Sequence, residues 1–182
     1  MKAIETELKG CFILEPRVFE DSRGYFFELY NSAGFEAATG KNVQFVQDNQ
    51  SYSTYGVIRG LHYQSGSDAQ AKLVSVLKGK VLDVAVDLRK ESPTYGKHVA
   101  IELSAENKRQ MFIPRGFAHG FSVLSDSAVC WYKCDNFYNM ESEAGIRYDD
   151  PVLGIDWKLP KADVRISEKD SLLPFFNEAK QA

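Results

Sequence analysis

The chain has 182 residues, 44% of them hydrophobic, and carries a formal charge of -3 from 22 basic and 25 acidic side chains. That length supports one core and gives no reason for a second, so residues 1–182 are read as a single domain. The charge balance offers no basic stripe for a nucleic-acid backbone, and no stretch approaches the roughly 18 apolar residues of a membrane span or forms a signal-peptide core.

In chain order, β-like runs are expected over 11–19 and 24–30, followed by a short helix over 31–40 with Asn31 or Ser32 as N-cap and Gly40 as stop. Further runs cover 43–51 and 57–64. Lys72, Val74 and Val76 then alternate, as do Leu82, Val84, Val86 and Leu88 against Val81, Asp83, Ala85 and Asp87, the pattern of strands with one apolar and one mixed face. Gly79 sits between these two runs and predicts a hairpin. Runs over 97–103, 109–114, 118–124 and 128–134 follow, punctuated by turn chemistry at 92–94, 104–108 and 125–127. Beyond Asp149-Asp150-Pro151 the pattern loosens into a tail. Short strands at close spacing with little helix predict an all-β sandwich or barrel. Cys11, Cys130 and Cys134 lack Cys-x-x-Cys spacing and read as buried, reduced thiols of a soluble cytoplasmic protein.

Strand parity says which polar groups point together. Lys72 shares a face with Val74 and Val76, His62 with Gly60 and Gln64, Tyr132 with Cys130 and Cys134, and His119 with Phe121 and Val123. If the valines face inward, His62, Lys72, His119 and Tyr132 converge on one apolar pocket, and the mouth of a small β-barrel is a common place for a ligand. Each residue alone has a plainer reading: a hydrogen-bonded histidine, a core tyrosine, a lysine reaching past its stem to water. Their joint spacing is that of a cupin barrel, a jelly roll that binds a cation through His-x-His, a Glu and a later His. Here the frame reads His62-Tyr63-Gln64, Lys72 ahead of Gly79, and Pro114-Arg115-Gly116-Phe117-Ala118-His119. An ammonium repels the cation a carboxylate would hold, so no metal is expected, and the site suits a reaction that develops negative charge on oxygen.

The strings EDSRGYFFE (20–28), QDNQSYS (47–53), VIRGLHYQ (57–64), AQAKLV (69–74), GKVLDVAVDLRKESPTYG (79–96), FIPRGFAHGFSVLSD (112–126) and ISEKD (166–170), in this order, resemble the dTDP-4-dehydrorhamnose 3,5-epimerase family. The resemblance implies a homodimeric cupin-like β-barrel with a few short helices and no cofactor. The substrate it implies is dTDP-4-dehydro-6-deoxy-D-glucose, inverted at C3 and C5. It implies His62 as base, Asp170 as the group that orients it, Tyr132 as acid on the opposite ring face and Lys72 beside the C4 oxygen. Arg23, Glu28, Gln47, Asp48, Asn49, Arg59, His119, Glu143 and Lys169 match positions that contact sugar, diphosphate or base, with Arg23 and Glu28 serving the partner subunit's site. Phe19, Phe26 and Phe121 are candidate walls for the thymine. The chemistry suits these types: a cation aimed at the C4 oxygen stabilises an enolate, an imidazole is available as base near neutral pH, and arginine forks fit a diphosphate.

Two segments depart from the family's usual pattern: Ser65-Gly66-Ser67-Asp68, where many relatives carry prolines, and Asp135-Asn136-Phe137. Three rival readings stand beside the main one. A C3-only epimerase would share nearly all these motifs. A metal-dependent cupin would use His62 and His119 as ligands, against which Gln64 and Lys72 argue. A non-catalytic nucleotide-sugar-binding barrel would have no need of His62, Asp170 and Tyr132 together.

Overall fold

Alternation of side chains along the strands builds two facing antiparallel sheets, seen in a computed structural model that describes residues 1–180. The first half of the chain forms β1 (Lys2–Glu5), β2 (Phe12–Glu15), β3 (Phe19–Asp21), β4 (Gly24–Phe26), helix α1 (Ser32–Thr39), β5 (Gln47–Thr54), β6 (Ile58–Gln64), β7 (Lys72–Lys78) and β8 (Lys80–Asp87). The second half adds β9 (His98–Ser104), β10 (Gln110–Ile113), β11 (Phe117–Val123), β12 (Ser127–Cys134), β13 (Glu143–Gly145) and the single-turn helix α2 (Glu168–Ser171). One sheet runs β1-β2-β10-β7-β12-β5, the other β13-β6-β11-β8-β9, and β3 and β4 form a separate hairpin. This is the expected all-β, cupin-like architecture, and no helix among the described residues is long and apolar enough to cross a membrane.

The period-two reading assigns the faces. Val74 and Val76 of β7 and Val81 and Ala85 of β8 meet Met111, Phe121 and Cys130 between the sheets. Leu73 faces outward, where α1 covers the six-stranded sheet: Phe35 is 1% exposed and packs edge-on to Phe112 at 5.1 Å between centroids. Burying such a ring contributes about 1.5–3 kcal/mol. α1 begins where expected, with the Asn31 Oδ1 accepting from Gly34 N at 2.9 Å, and ends at a left-handed Gly40.

The two faces of β8 carry a lesson. Leu82, Val84 and Val86, its purely apolar face, lie outside the barrel under the C-terminal tail, against Ile146, Leu153 and Trp157. The mixed face, with Asp83, is the one that lines the interior. The tail past 151 therefore acts as a third layer, joined to the sheet by a parallel bridge between Val57 and Arg165.

Several boundaries differ from expectation. The run 11–19 breaks after Glu15, 24–30 stops at Phe26, and 43–51 starts only at Gln47, because Val43 and Phe45 pack on the outer cluster around Phe35 without strand pairing. β1, β13 and α2 have no counterpart in the sequence reading.

Candidate active site

Gly60 brings the two histidine-bearing strands together. Its φ is +112°, and a Cβ there would lie 2.6 Å from the His119 carbonyl oxygen and 2.7 Å from Gly120 Cα, so only glycine allows β6 and β11 to approach this closely. In the resulting register His62 lies opposite His119, and a bulge follows between His119 and Phe121. Where β6 and β11 of one sheet face β5, β7 and β12 of the other, the interior turns from apolar to polar. Two adjoining cavities of about 330 Å³ and 160 Å³ share His62, Lys72 and Tyr132 as lining, and His119 lines the smaller one. All four groups predicted to converge do so, although Gln47, Asn49, Gln64 and Glu143 make the walls more polar than anticipated.

His62 is tied through Nε2 to Asp170 Oδ1 at 2.7 Å. Asp170 is 5% exposed and comes from α2, where Ser167 Oγ caps the helix by accepting from Asp170 N at 3.0 Å; its second oxygen accepts from Gly60 N at 3.3 Å. Burial works against charge on this carboxyl, but its bonds to the His62 imidazole and the Gly60 N–H outweigh that and hold it below the usual carboxylate range. A carboxylate accepting at Nε2 places the proton there and leaves Nδ1 as the nitrogen that can take one up.

Lys72, at the start of β7, has burial as the dominant influence on its ammonium and sits below the usual lysine pKa, partly offset by the nearby Cys134, Asp83 and Glu143. It enters no ion pair among the described residues, so its donors remain free for a ligand. Tyr132 projects from β12, in register with Val74 and Asn49. Burial, then Cys134, pushes its phenol above the usual value, with Arg59 opposing, so it stays protonated well past neutral pH. His62 thus stands on one sheet and Lys72 and Tyr132 on the other, with the cleft between.

A second carboxylate–imidazole pair lies deeper: His119 Nε2 is 2.8 Å from Asp83 Oδ1, both side chains being buried. The sequence reading missed Asp83 as a site residue. Its signal was an aspartate on the inward face of β8, legible only once β8 is known to pair with β11.

The match of a family model described as dTDP-4-dehydrorhamnose 3,5-epimerase spans residues 5–178. A Shigella flexneri protein of that name is 54% identical over 170 residues, covering 93% of this chain and 93% of the relative. The chain belongs to the dTDP-4-dehydrorhamnose 3,5-epimerase family. Its fold also superposes on a crystal structure of the Elizabethkingia anophelis NUHP1 epimerase with TM-score 0.95 at 60% identity, covering 100% of this chain and 99% of that one. A Legionella pneumophila RmlC structure in complex with dTDP-4-keto-L-rhamnose gives TM-score 0.93 at 50% identity, with 97% of this chain and 93% of that chain covered.

The other positions that the epimerase-family resemblance implied divide into three groups. Gln47, Asn49 and Glu143 line the larger cavity and Arg59 the smaller; Lys169 reaches the rim by donating to Glu143 Oε2 at 2.6 Å. Glu143 also accepts from Tyr138 OH at 2.8 Å, and although burial opposes its charge, Lys169 and Tyr138 hold its carboxyl below the usual value. Asp48 points to the opposite face of β5, paired with Lys133 at 2.8 Å. Arg23 and Glu28 lie away from the cleft: Arg23 pairs with Asp21 at 2.6 Å at the tip of the exposed β3–β4 hairpin, and Glu28 accepts from Asn31 at 3.2 Å. Of the proposed aromatic walls, Phe121 is buried between the sheets and lines the smaller cavity, whereas Phe19 and Phe26 stand exposed on the hairpin. The exposed aromatic lining the larger cavity is Tyr138, 54% exposed. Gln64, in the metal-ligand position of a cupin, is used up by backbone: its Nε2 donates to Asp68 O at 2.7 Å and Phe137 O at 3.1 Å, and its Oε1 accepts from Asn139 N at 2.7 Å. Among the described residues no group of three His, Cys, Asp or Glu side chains is arranged to hold a metal ion.

Proposed function

We propose that this isomerase converts dTDP-4-dehydro-6-deoxy-alpha-D-glucose to dTDP-4-dehydro-beta-L-rhamnose by inverting C3 and C5 in turn. The observation that carries the reading is the placement of a carboxylate-backed imidazole and a protonated phenol on opposing sheets, with an unpaired ammonium on the phenol's side of the cleft. The C4 ketone makes the C3 and C5 hydrogens acidic. His62 Nδ1 takes the proton from one carbon, the electron pair moves to the C4 oxygen as an enolate, and Lys72 stabilises that charge. Asp170 stabilises the imidazolium while it lasts. Tyr132 returns a proton to the other face of the ring, which inverts the centre, and water restores both groups for the second carbon. Arg59 meets the diphosphate: its Nε is held by Ser53 Oγ at 2.9 Å, which orients the fork. Tyr138 offers its ring to the base at the mouth.

A homodimer is part of this reading. The β3–β4 hairpin buries none of its own residues and exposes Phe19, Tyr25 and Phe26 beside Arg23, which suits an arm that completes a second copy's cleft. Three buried free thiols support a cytoplasmic enzyme, and we read residues 1–182 as one domain.

Incubation with the substrate in D2O tests the function. Deuterium at C3 and C5, with the L-rhamno product trapped by reduction, is the expected result. Label at C3 alone would make the chain a 3-epimerase, and no label would reduce it to a nucleotide-sugar-binding barrel. Tyr132→Phe is expected to keep hydrogen exchange, since His62 can return a deuteron to the face it came from, while product formation falls by about 10²-fold or more. Equal loss of exchange and inversion would remove Tyr132 from the acid role. Arg59→Ala is expected to raise KM about tenfold or more with kcat little changed, because diphosphate contacts are nearly the same in ground and transition states. An unaltered KM in steady-state kinetics would argue against that contact.

A further inference from the structure

Both segments that depart from the family's usual pattern lie on the rim of the cleft, and they bond to each other. Segment 65–68, Ser-Gly-Ser-Asp, contains no proline, so its shape is set by hydrogen bonds. The Asp68 carboxylate lies at the centre: Oδ2 accepts from Asn139 Nδ2 at 2.8 Å and from the Ser142 hydroxyl, and the Asp68 carbonyl accepts from Gln64. Around it, Asn136 Nδ2 donates to Ser67 O at 3.0 Å, Gln70 Nε2 to Asn136 O at 2.8 Å, and Ser65 N to Ser142 O at 3.0 Å. The bonds from Ser142 and Asn139 hold the Asp68 carboxyl below its usual range, so it is ionised at neutral pH and both bonds are charge-assisted. The loop fastened in this way carries Tyr138 and leads into Glu143, which line the mouth of the cleft.

We infer that Asp68 is a positioning residue for substrate binding: it fastens the 65–71 loop to the 135–142 loop and so holds Tyr138 and Glu143 where a nucleotide sugar must pass or rest. The inference rests on the reading of this cleft as a nucleotide-sugar site. Asp68 touches neither the reacting carbons' base nor the enolate's donor, so its removal acts on binding and leaves the chemical step alone. The geometry also predicts which replacement succeeds. Asparagine keeps one oxygen in place of Oδ2 and can accept from both Asn139 and Ser142; alanine can accept from neither.

The test combines steady-state kinetics on the nucleotide sugar with amide hydrogen exchange on the folded chain. Asp68→Ala is expected to raise KM about tenfold, the scale of one charged hydrogen bond lost, with kcat within about twofold. It is also expected to speed exchange at Tyr138 and Asn139, whose N–H groups donate to Gln47 Oε1 and Gln64 Oε1. Asp68→Asn is expected to restore both readouts. Unchanged exchange, a fall in kcat at constant KM, or an asparagine variant as defective as alanine would overturn the assignment. A wild-type chain inactive on the nucleotide sugar would overturn the epimerase reading, and exchange at Tyr138 would still decide whether Asp68 fastens the rim.

Discussion

Replacing His62 with alanine is expected to lower kcat by about three orders of magnitude while dTDP still binds. The size of the effect follows from the site's construction. No second imidazole stands in the same relation to Tyr132: His119 lies deeper, committed to Asp83 at 2.8 Å and lining only the smaller of the two cavities. The loss should extend to exchange as well as inversion, because both begin with the same abstraction. Asp170→Asn is the informative companion. It keeps the contact with His62 but can donate to Nε2, which would put the imidazole proton on Nδ1 and leave the base pointing the wrong way. Isotope exchange at C3 and C5, with calorimetric titration of dTDP, checks both parts; a His62→Ala protein that exchanges at wild-type rate would remove His62 from the mechanism.

Lys72→Met is expected to move activity and stability in opposite directions. kcat should fall by about 10²–10³-fold, the scale of losing one donor to a developing oxyanion. The melting temperature should rise, because methionine fills similar space without an unpaired ammonium in a partly buried wall. A gain of about 1 kcal/mol would appear as a rise of roughly 2–4 °C in a chain of this size. The sign with pH is specific. Burial lowers the Lys72 pKa below 10.5 in the folded chain, so the penalty is present in full below that lowered value and disappears as pH rises towards 10.5. The stability gap between Lys72→Met and wild type should therefore close at alkaline pH, where wild-type turnover also declines as the ammonium is lost. Scanning calorimetry across alkaline pH, beside kcat, reads both. A variant less stable than wild type at neutral pH would mean that Lys72 is satisfied by a partner and is not held free for the substrate.

The strands that could be read from the chain were those whose alternation is set by burial on both sides. β7 and β8 lie inside their sheets, so nearly all of their residues short of the exposed Leu77-Lys78 end meet either the interior or a covering layer, and the period of two is clean. β1 and β13 are three or four residues long, sit at sheet edges and exist because a neighbour pairs with them, which leaves no local signal. The start of β5 was misread because Val43 and Phe45 are apolar for a different reason: they cover the outer aromatic cluster.

The site divides along the same line. His62, Lys72, Tyr132 and His119 were found because strand parity is local. Asp83 and the rim bonds of Gln64 and Asp68 were not, because each depends on which distant strand or loop lies opposite. Asp170 came from a motif alone; nothing in the loosened pattern after residue 151 indicates that the tail returns to the barrel.

That return means that two parts of the chain share the making of the catalytic base. Residues up to about 145 build the barrel and supply the imidazole, while the carboxylate that sets its tautomer rides on a segment laid over the outside of the five-stranded sheet. Turnover is therefore a gauge of tail docking as well as of barrel integrity. A chain whose tail has lifted would lose both the carboxylate bonded to His62 and the Lys169 bond to Glu143 at the rim, and turnover would fall with them.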